Sequence, residues 1–312
     1  MNEPYKYEVT VLFSTHNGEK VLQKTLDGYL KQAIDNKAWQ IIIIDNASND
    51  STPSILESFK KKLPLVLLEY NVPGKNKALN SAIKHIKSDF IIITDDDAIP
   101  EKDFLLNWIK IKNEQKYYDL FGGNITPLFP KNNQQPSWMH ENKFHWEEIH
   151  AARDLTSRPI EAREIFGPNM AVRKSVFDKG ILFNEDIGPN GSIKNYPMGS
   201  ETEFCKRAEL DGHKAFFNAE SNVMHIIRDH QVKPKFWFSR AYKHGLGFGM
   251  QEKLERNAPY SLIEKIIISS KSVYKAIKHK TNALLYFSNQ LKKNEEIWQY
   301  NWEKGYLNGR LK

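Results

Sequence analysis

The sequence predicts an α/β protein, a mostly parallel sheet flanked by helices, with a helical C-terminal extension. Strand and helix signals alternate through the first 113 residues. Three consecutive aspartates, Asp95, Asp96 and Asp97, directly follow the apolar run Phe90–Thr94, and a β-branched run of this kind reads as a buried parallel strand. From Pro234 onward the pattern is helical to the end.

Taken in order, Val9–Phe13 is a strand and Lys20 to about Ile34 a helix. Gln40–Ile44 is a second strand ending at Asp45, and the polar turn Asn46–Ser51 caps a helix starting near Pro53. Leu65–Leu68 is a third strand. A Pro73-Gly74 turn leads into a helix from about Asn76 to Ile86, and the strand before the aspartates follows. This βαβαβαβ order implies parallel strands with helices on both faces. Strands two and four both end in aspartate, at the sheet edge where open α/β folds bind their ligands.

A helix then runs to about Lys112, and Leu120–Gly123 carries glycines that suggest close backbone approach. Residues 126–164, rich in Pro, Asn, His and Trp, form a long irregular stretch of the kind that tends to be functional. A strand entry at Gly167–Val172 precedes a Gly/Asn-rich loop, Phe183 to Tyr196, placed to move over a site. Helix signals over Glu201–Leu210 and short strands at Ala215–Phe217 and Val223–Ile227 complete the body. The expected division is a body over residues 1–230 and a basic, mainly helical extension over 231–312 packed on it.

Bulk properties narrow the class. With 312 residues, 40% of them hydrophobic and 27% charged, the chain can bury a full core and is globular rather than disordered. The single cysteine, Cys205, excludes an internal disulfide framework and fits a reducing cytoplasm. There is no basic-then-apolar leader pattern and no apolar stretch near the roughly 18 residues a membrane span needs. Residues 231–312 hold 16 Lys+Arg against 6 Asp+Glu, while the whole chain is only +7. Such an extension suits either a solvated helical surface or an anionic membrane face such as the inner leaflet. No nucleic-acid motif accompanies it, so nucleic acid is not an expected partner.

Three adjacent carboxylates are costly unless a cation neutralises them. Oxygen-only ligands suit Mg²⁺ or Mn²⁺, usually shared with substrate phosphates. A solvated acidic turn is the plain alternative, but the position after a buried strand favours a site. Thr10-Val11-Leu12-Phe13-Ser14-Thr15-His16-Asn17-Gly18-Glu19, Ile43-Ile44-Asp45-Asn46-Ala47-Ser48-Asn49-Asp50-Ser51-Thr52, Gly74-Lys75-Asn76-Lys77-Ala78-Leu79-Asn80-Ser81-Ala82-Ile83 and Thr94-Asp95-Asp96-Asp97-Ala98-Ile99-Pro100 come in the order, and on the elements, of one known family. Together they resemble the GT-A fold glycosyltransferases, a Rossmann-like architecture, and specifically the inverting enzymes of family 2. The likeness runs from about Val9 to Gly249, with Leu79 standing where arginine is common.

That resemblance implies a nucleoside-diphosphate sugar donor, with a UDP-sugar favoured, and a glycan or lipid-linked glycan acceptor in surface polysaccharide synthesis. It places Thr15, Asn17, Glu19, Asp45, Lys77, Asp95 and Asp96 at the donor, and Asp97 on a Mn²⁺ or Mg²⁺ ion. Chemically, Asp45 can accept from a ring N–H of a nucleobase, whereas Thr15 and Glu19 are equally suited to cap and charge the next helix. Lys77 either faces the diphosphate or is a solvated helix lysine. Gly199-Ser200-Glu201-Thr202-Glu203 resembles the family's acidic helix-start motif, with Ser200 and Glu201 in place of the usual Glu-Asp pair. Glu201 aligns with the general base, and Glu203 is the alternative. Val223-Met224-His225 resembles the strand that adds a histidine to the metal shell, so His225 is a metal ligand or a core histidine.

Two other functions compete. A Mg²⁺ phosphohydrolase would want an Asp-x-Asp-x-Thr/Val arrangement, whereas position 99 is Ile, and it would leave Asp45 and the Gly74–Ile83 segment unexplained. A non-catalytic GT-A-like protein, binding membrane or another partner through its basic extension, is the alternative that Glu201 in the base position keeps open.

Overall fold

The computed structural model describes residues 5–132, 135–256 and 258–311. Met1–Pro4, the start of the stretch without a leader pattern, lies outside them. Four strands, β1 (Val9–Thr15), β2 (Trp39–Asp45), β3 (Leu65–Glu69) and β4 (Phe90–Thr94), run parallel. They interleave with α1 (Leu22–Leu30), α2 (Thr52–Phe59) and α3 (Lys75–Ala82). β2 and β4 are buried along their whole length, as their unbroken isoleucine runs require. Side chains alternate between two layers. Val11, Phe13, Ile41, Ile43 and Ile92 pack with Leu26, Leu56 and Trp108 on one face. Leu12, Ile42, Ile44, Ile91 and Ile93 pack with Leu79 and Phe204 on the other.

Beyond β4 come β5 (Ala98–Pro100), α4 (Phe104–Glu114), β6 (Leu120–Leu128), α5 (Ser137–Glu141), α6 (Trp146–His150), β7 (Arg158–Ile160), β8 (Asn169–Arg173), α7 (Lys174–Asp178), α8 (Ser200–Leu210) and β9 (Ala215–Ile226). The described strands form one sheet in the order β3-β2-β1-β4-β8-β6-β9-β5, with β7 also on β9. The parallel half is as the sequence predicts. β8 pairs antiparallel with β4 and β6, and β5 and β7 pair antiparallel with β9, so the sheet as a whole is mixed.

The two short strands expected at Ala215–Phe217 and Val223–Ile227 are one strand. The β6–β9 register steps from Gly123↔Asn218 to Asn124↔Asn222, and the residues between bulge out of the ladder. That polar interval reads as a turn, yet it is satisfied internally. Asn218 Nδ2 donates to Ser221 Oγ at 2.8 Å, and Asn169 Nδ2 donates to the Ser221 carbonyl at 2.9 Å.

The extension consists of α9 (Pro234–Leu254), α10 (Leu262–Leu285) and α11 (Gln290–Leu311). Trp237, Ala241 and Trp298 bury against Met139, Phe144 and Ile149 of the irregular stretch. Trp138 and Trp237 lie in this cluster and His145 stacks on Trp298, while Trp146 packs against Phe129 and His150; none of the four, considered as sugar-stacking aromatics, lines the cleft described below. Glycines let α9 and α11 touch backbone to backbone. A Cβ at Gly245 would strike the Trp302 carbonyl, and one at Gly305 the Tyr242 carbonyl. Because backbone rather than a flexible side chain stands in the way, the two helices would have to separate. Gly305→Ala is therefore expected to cost about 1–3 kcal/mol, read as a fall of roughly 2–4 °C in Tm per kcal/mol. An unchanged melting curve would mean that the two backbones are not in contact.

Candidate functional site

β1, β2 and β4 all end at one sheet edge, and a cleft of about 610 Å³ opens there. Its floor is the aspartate triplet. The Asp96 carbonyl accepts from Thr25 Oγ1 on α1 at 2.8 Å, and the Asp97 carbonyl accepts from the Ile226 N–H at 2.8 Å. Two successive carbonyls of the turn are thereby pinned. Thr15 Oγ1, at the end of β1, donates to Asp96 Oδ2 at 2.6 Å. Burial, and then the Asp97 charge beside it, push Asp96 above the usual carboxylate range.

The short β5–β9 pairing sets Ala98 opposite His225, which brings His225 Nε2 to 3.4 Å from Asp97 Oδ1. Arg228, three residues further on, reaches Asp97 Oδ2 at 3.1 Å. Burial alone would raise the Asp97 pKa, but His225 and then Arg228 outweigh it and hold it low. Burial likewise opposes the charged His225, and Asp97 more than offsets it, leaving the imidazole above its ordinary value. His225 Nδ1 lies 2.7 Å from the His150 carbonyl, which can only accept, so Nδ1 carries the proton. Nε2 and the carboxylate then face each other as two lone pairs unless a proton or a cation lies between them.

The opposite side of the cleft is built from two helix starts. Gly74, at φ +142°, turns the chain into α3 so that Lys75 is its first residue. Lys75 Nζ lies 2.7 Å from Asp95 Oδ1 and 2.8 Å from Glu201 Oε1. Glu201 is the second residue of α8 and also accepts from Ser200 Oγ at 2.9 Å. Desolvation works against all these charges. The two carboxylates nevertheless hold the Lys75 ammonium above the usual lysine range, and Lys75 holds Glu201 below the usual glutamate range. Glu201 packs so closely over Gly167 that a Cβ there would sit 2.6 Å from its Oε1.

Of the residues singled out in the sequence, Thr15, Asp95, Asp96, Asp97, Glu201 and His225 line this cleft. Asp45 sits at the same edge but accepts from the Ser48 N–H at 3.1 Å. Asn17 Oδ1 accepts from the Asn49 N–H and Glu19 Oε2 from the Ser51 N–H. These two residues lace the loop after β1 to the loop after β2. Helix α3 turns Lys75 into the cleft, not Lys77. Glu203 points elsewhere, clamped by Arg207 at 2.6 and 2.9 Å.

The sequence reading missed Lys75, Arg228 and a face of α9 where Arg240, Lys243 and His244 line the cleft, the imidazole of His244 held neutral by burial. Their i, i+3, i+4 spacing puts them on one helix face, and that spacing was the available signal. Among the described residues no carboxylate ion pair involves Arg240 or Lys243; Arg240 Nε donates to the Glu148 carbonyl and Lys243 Nζ lies 3.9 Å over the Tyr196 ring. Also among the described residues, no three His, Cys, Asp or Glu side chains form a ready-made metal cage.

Fold and cleft together define an α/β protein with its ligand site at the carboxyl edge of the sheet. The model named Glycosyl transferase family 2 matches residues 10–181, more than half of the chain, and the chain belongs to that family. A Methanococcus voltae relative, dolichyl N-acetyl-alpha-D-glucosaminyl phosphate 3-beta-D-2,3-diacetamido-2,3-dideoxy-beta-D-glucuronosyltransferase, is 31% identical over 67% of this chain. The chain spans 64% of that relative's length. Mannosyltransferase PcManGT from Pyrobaculum calidifontis, solved with GDP-Man and Mn²⁺, superposes with a TM-score of 0.62 at 16% identity, covering 99% of this chain and 90% of that one. S. aureus TarS 1-349, solved with UDP-GlcNAc, gives 0.56 at 17% identity over 95% and 90%. At such identities the two structures speak for the GT-A fold alone.

Glu201 and Asp97 ionise more readily in the folded chain than in the unfolded one. Their contribution to stability is present above the ordinary carboxylate pKa and is lost as pH falls through their depressed folded values. Lys75→Met should reverse this for Glu201, because burial then acts unopposed and favours the protonated acid. The variant is expected to lose up to roughly 3–5 kcal/mol at neutral pH. The gap to wild type should narrow as pH falls below neutral and the carboxyl protonates. A gap in Tm that does not change with pH would mean that Lys75 contributes packing only.

Proposed function

We propose that the chain transfers a sugar, with inversion, from a nucleoside-diphosphate sugar to a hydroxyl of a glycan or lipid-linked glycan acceptor, in the synthesis of a bacterial surface polysaccharide or glycoconjugate. The observation that carries this reading is the meeting of two acidic motifs in one cleft. Asp95, from the strand end, and Glu201, from a helix start, share one lysine. A UDP-sugar is the favoured donor, in line with the UDP-GlcNAc complex of TarS.

On the donor side, Thr15 and Asp45 lie at the strand ends that would receive base and ribose, with Asn17 and Glu19 in the adjoining loop. Asp95 and Asp96 face the ribose and phosphates, Lys75 rather than Lys77 stands in the cleft beside them, and Arg228 with Arg240 supplies positive charge. The donor set of Asp97 and His225 suits a divalent cation taking the place of the proton between Nε2 and the carboxylate, with the His150 carbonyl fixing the imidazole from behind. When bound, Mn²⁺ or Mg²⁺ would neutralise the charge that builds on the departing diphosphate. Glu201 is the general base for the acceptor hydroxyl. Lys75 keeps it ionised, the state a base must be in, and the contact over Gly167 fixes its reach. A positioned carboxylate in this role is typically worth about 10²–10⁴-fold in rate.

Calorimetric titration with UDP, dTDP and GDP, each with and without Mn²⁺, tests the donor half. Metal-dependent binding of one nucleotide is expected, and Asp97→Ala should abolish it. Failure of all three to bind would overturn the reading. For the base, Glu201→Gln should keep nucleotide binding while sugar transfer falls on the order of 10²–10⁴-fold. An undiminished rate would assign proton removal to another group.

A further inference from the structure

Helix α10 is amphipathic in the inverted sense. The side turned to the protein is small and polar, with Ser272 and Ala283 buried and His279 bonded to Glu296 of α11 at 2.6 Å. The apolar side faces solvent. Ile263, Ile266, Tyr274, Ile277, Leu284 and Leu285 are 57–74% exposed. At 3.6 residues per turn these six fall within about 100° of arc.

Exposed lysines border the stripe, Lys271 and Lys278 along one edge and Lys280 along the other. The helix has a single acid, Glu264, and its carboxylate is engaged by the Ser261 N–H and by Arg256. Beside the stripe a groove of about 250 Å³, lined in part by Val273, Ile277, Tyr300 and Leu307, carries the apolar surface onto α11.

Scattered exposed apolar residues are ordinary, but a contiguous stripe with a basic border marks an interaction surface. No helix of the described residues is long and apolar enough to cross a membrane. We propose that α10 docks the protein flat on an anionic lipid surface. Ile266, Ile277 and Leu284 enter the acyl boundary, and the bordering lysines reach the headgroups on their flexible stems. Charge complementarity selects this occupant. A second copy of the chain pairing through the same face would bring two lysine borders together, which like-charge repulsion opposes. An anionic bilayer gains from both the stripe and its border.

The test is co-sedimentation of the full chain with phosphatidylglycerol/phosphatidylcholine vesicles and with phosphatidylcholine vesicles alone. Binding to the anionic vesicles is expected, weakening as salt is raised. Ile266→Gln/Ile277→Gln/Leu284→Gln alters exposed positions only and should bind at least about tenfold more weakly. Lys271→Ala/Lys278→Ala should lose roughly fivefold per lysine, and it tests the same surface without touching an apolar residue. Wild-type protein that stays in the supernatant with anionic vesicles would overturn the proposal, and so would binding that neither variant weakens. A dimer that the triple variant dissociates, without vesicle binding by wild type, would give the face to a second copy. Nucleotide titration of the same variants should be unchanged, so failure here leaves the sugar-transfer reading where it stands.

Discussion

The site depends on a lysine placed where a helix least tolerates one. Lys75 is the first residue of α3, and a positive charge at a helix N-terminus opposes the helix dipole. Asp95 and Glu201, at 2.7 and 2.8 Å, compensate for that position. The relation is mutual. Asp95 is followed by two more aspartates, and Glu201 enters the same cleft from another helix, so without an intervening cation these acids would repel one another in a partly desolvated space. One ammonium therefore sets the separation of β4, α3 and α8, and it fixes the protonation state of the carboxylate assigned as base.

The other half of the charge balance comes from the antiparallel part of the sheet. β9 reaches the cleft edge beside β5, and the Ala98↔His225 register leaves His225 facing Asp97. Arg228 follows as the chain leaves the strand. The bulge in β9 belongs to the same construction. The strand stays in the sheet from Ala215 to Ile226 while its register against β6 shifts, and that shift determines which residues arrive at the cleft. Two acid clusters thus receive their counter-charges from two directions, Lys75 for Asp95 and Glu201, and His225 with Arg228 for Asp97.

The parallel half was legible because its central strands β2 and β4 are buried along their whole length and say so in their composition. Ile41–Ile44 and Ile91–Ile93 have no polar interruption, and an aspartate follows within two residues of each run, Asp45 and Asp95, at the sheet edge. The later half was harder because side-chain bonding replaces pattern. Asn218, Ser221 and Asn169 satisfy one another within the bulge, so a buried strand reads locally as a turn. The choice between Lys75 and Lys77 shows a different limit. The two lie about 200° apart around a helix, so a motif that names the segment does not name the lysine that enters the cleft until the helix start is known. Arg240 and Lys243 were counted among solvated tail lysines and arginines, because net charge carries no direction.

The extension bears on the site as well as on its own surface. Gln251 Nε2 donates to the Gly199 carbonyl at 3.1 Å, at the turn that starts α8. The Met198 N–H donates to the Lys243 carbonyl at 3.0 Å, and Gly247 lies directly against the Met198 carbonyl. Any side chain at Gly247 would push α9 away from the turn that aims Glu201, so the tail supports the candidate base through backbone contacts. The glycines that bring α11 against α9 hold that support in place. With α9 committed to the cleft and α11 to α9, α10 remains the outermost of the three helices. An apolar stripe there contributes nothing to the packing of the fold, which is the physical reason to look for its partner outside the chain.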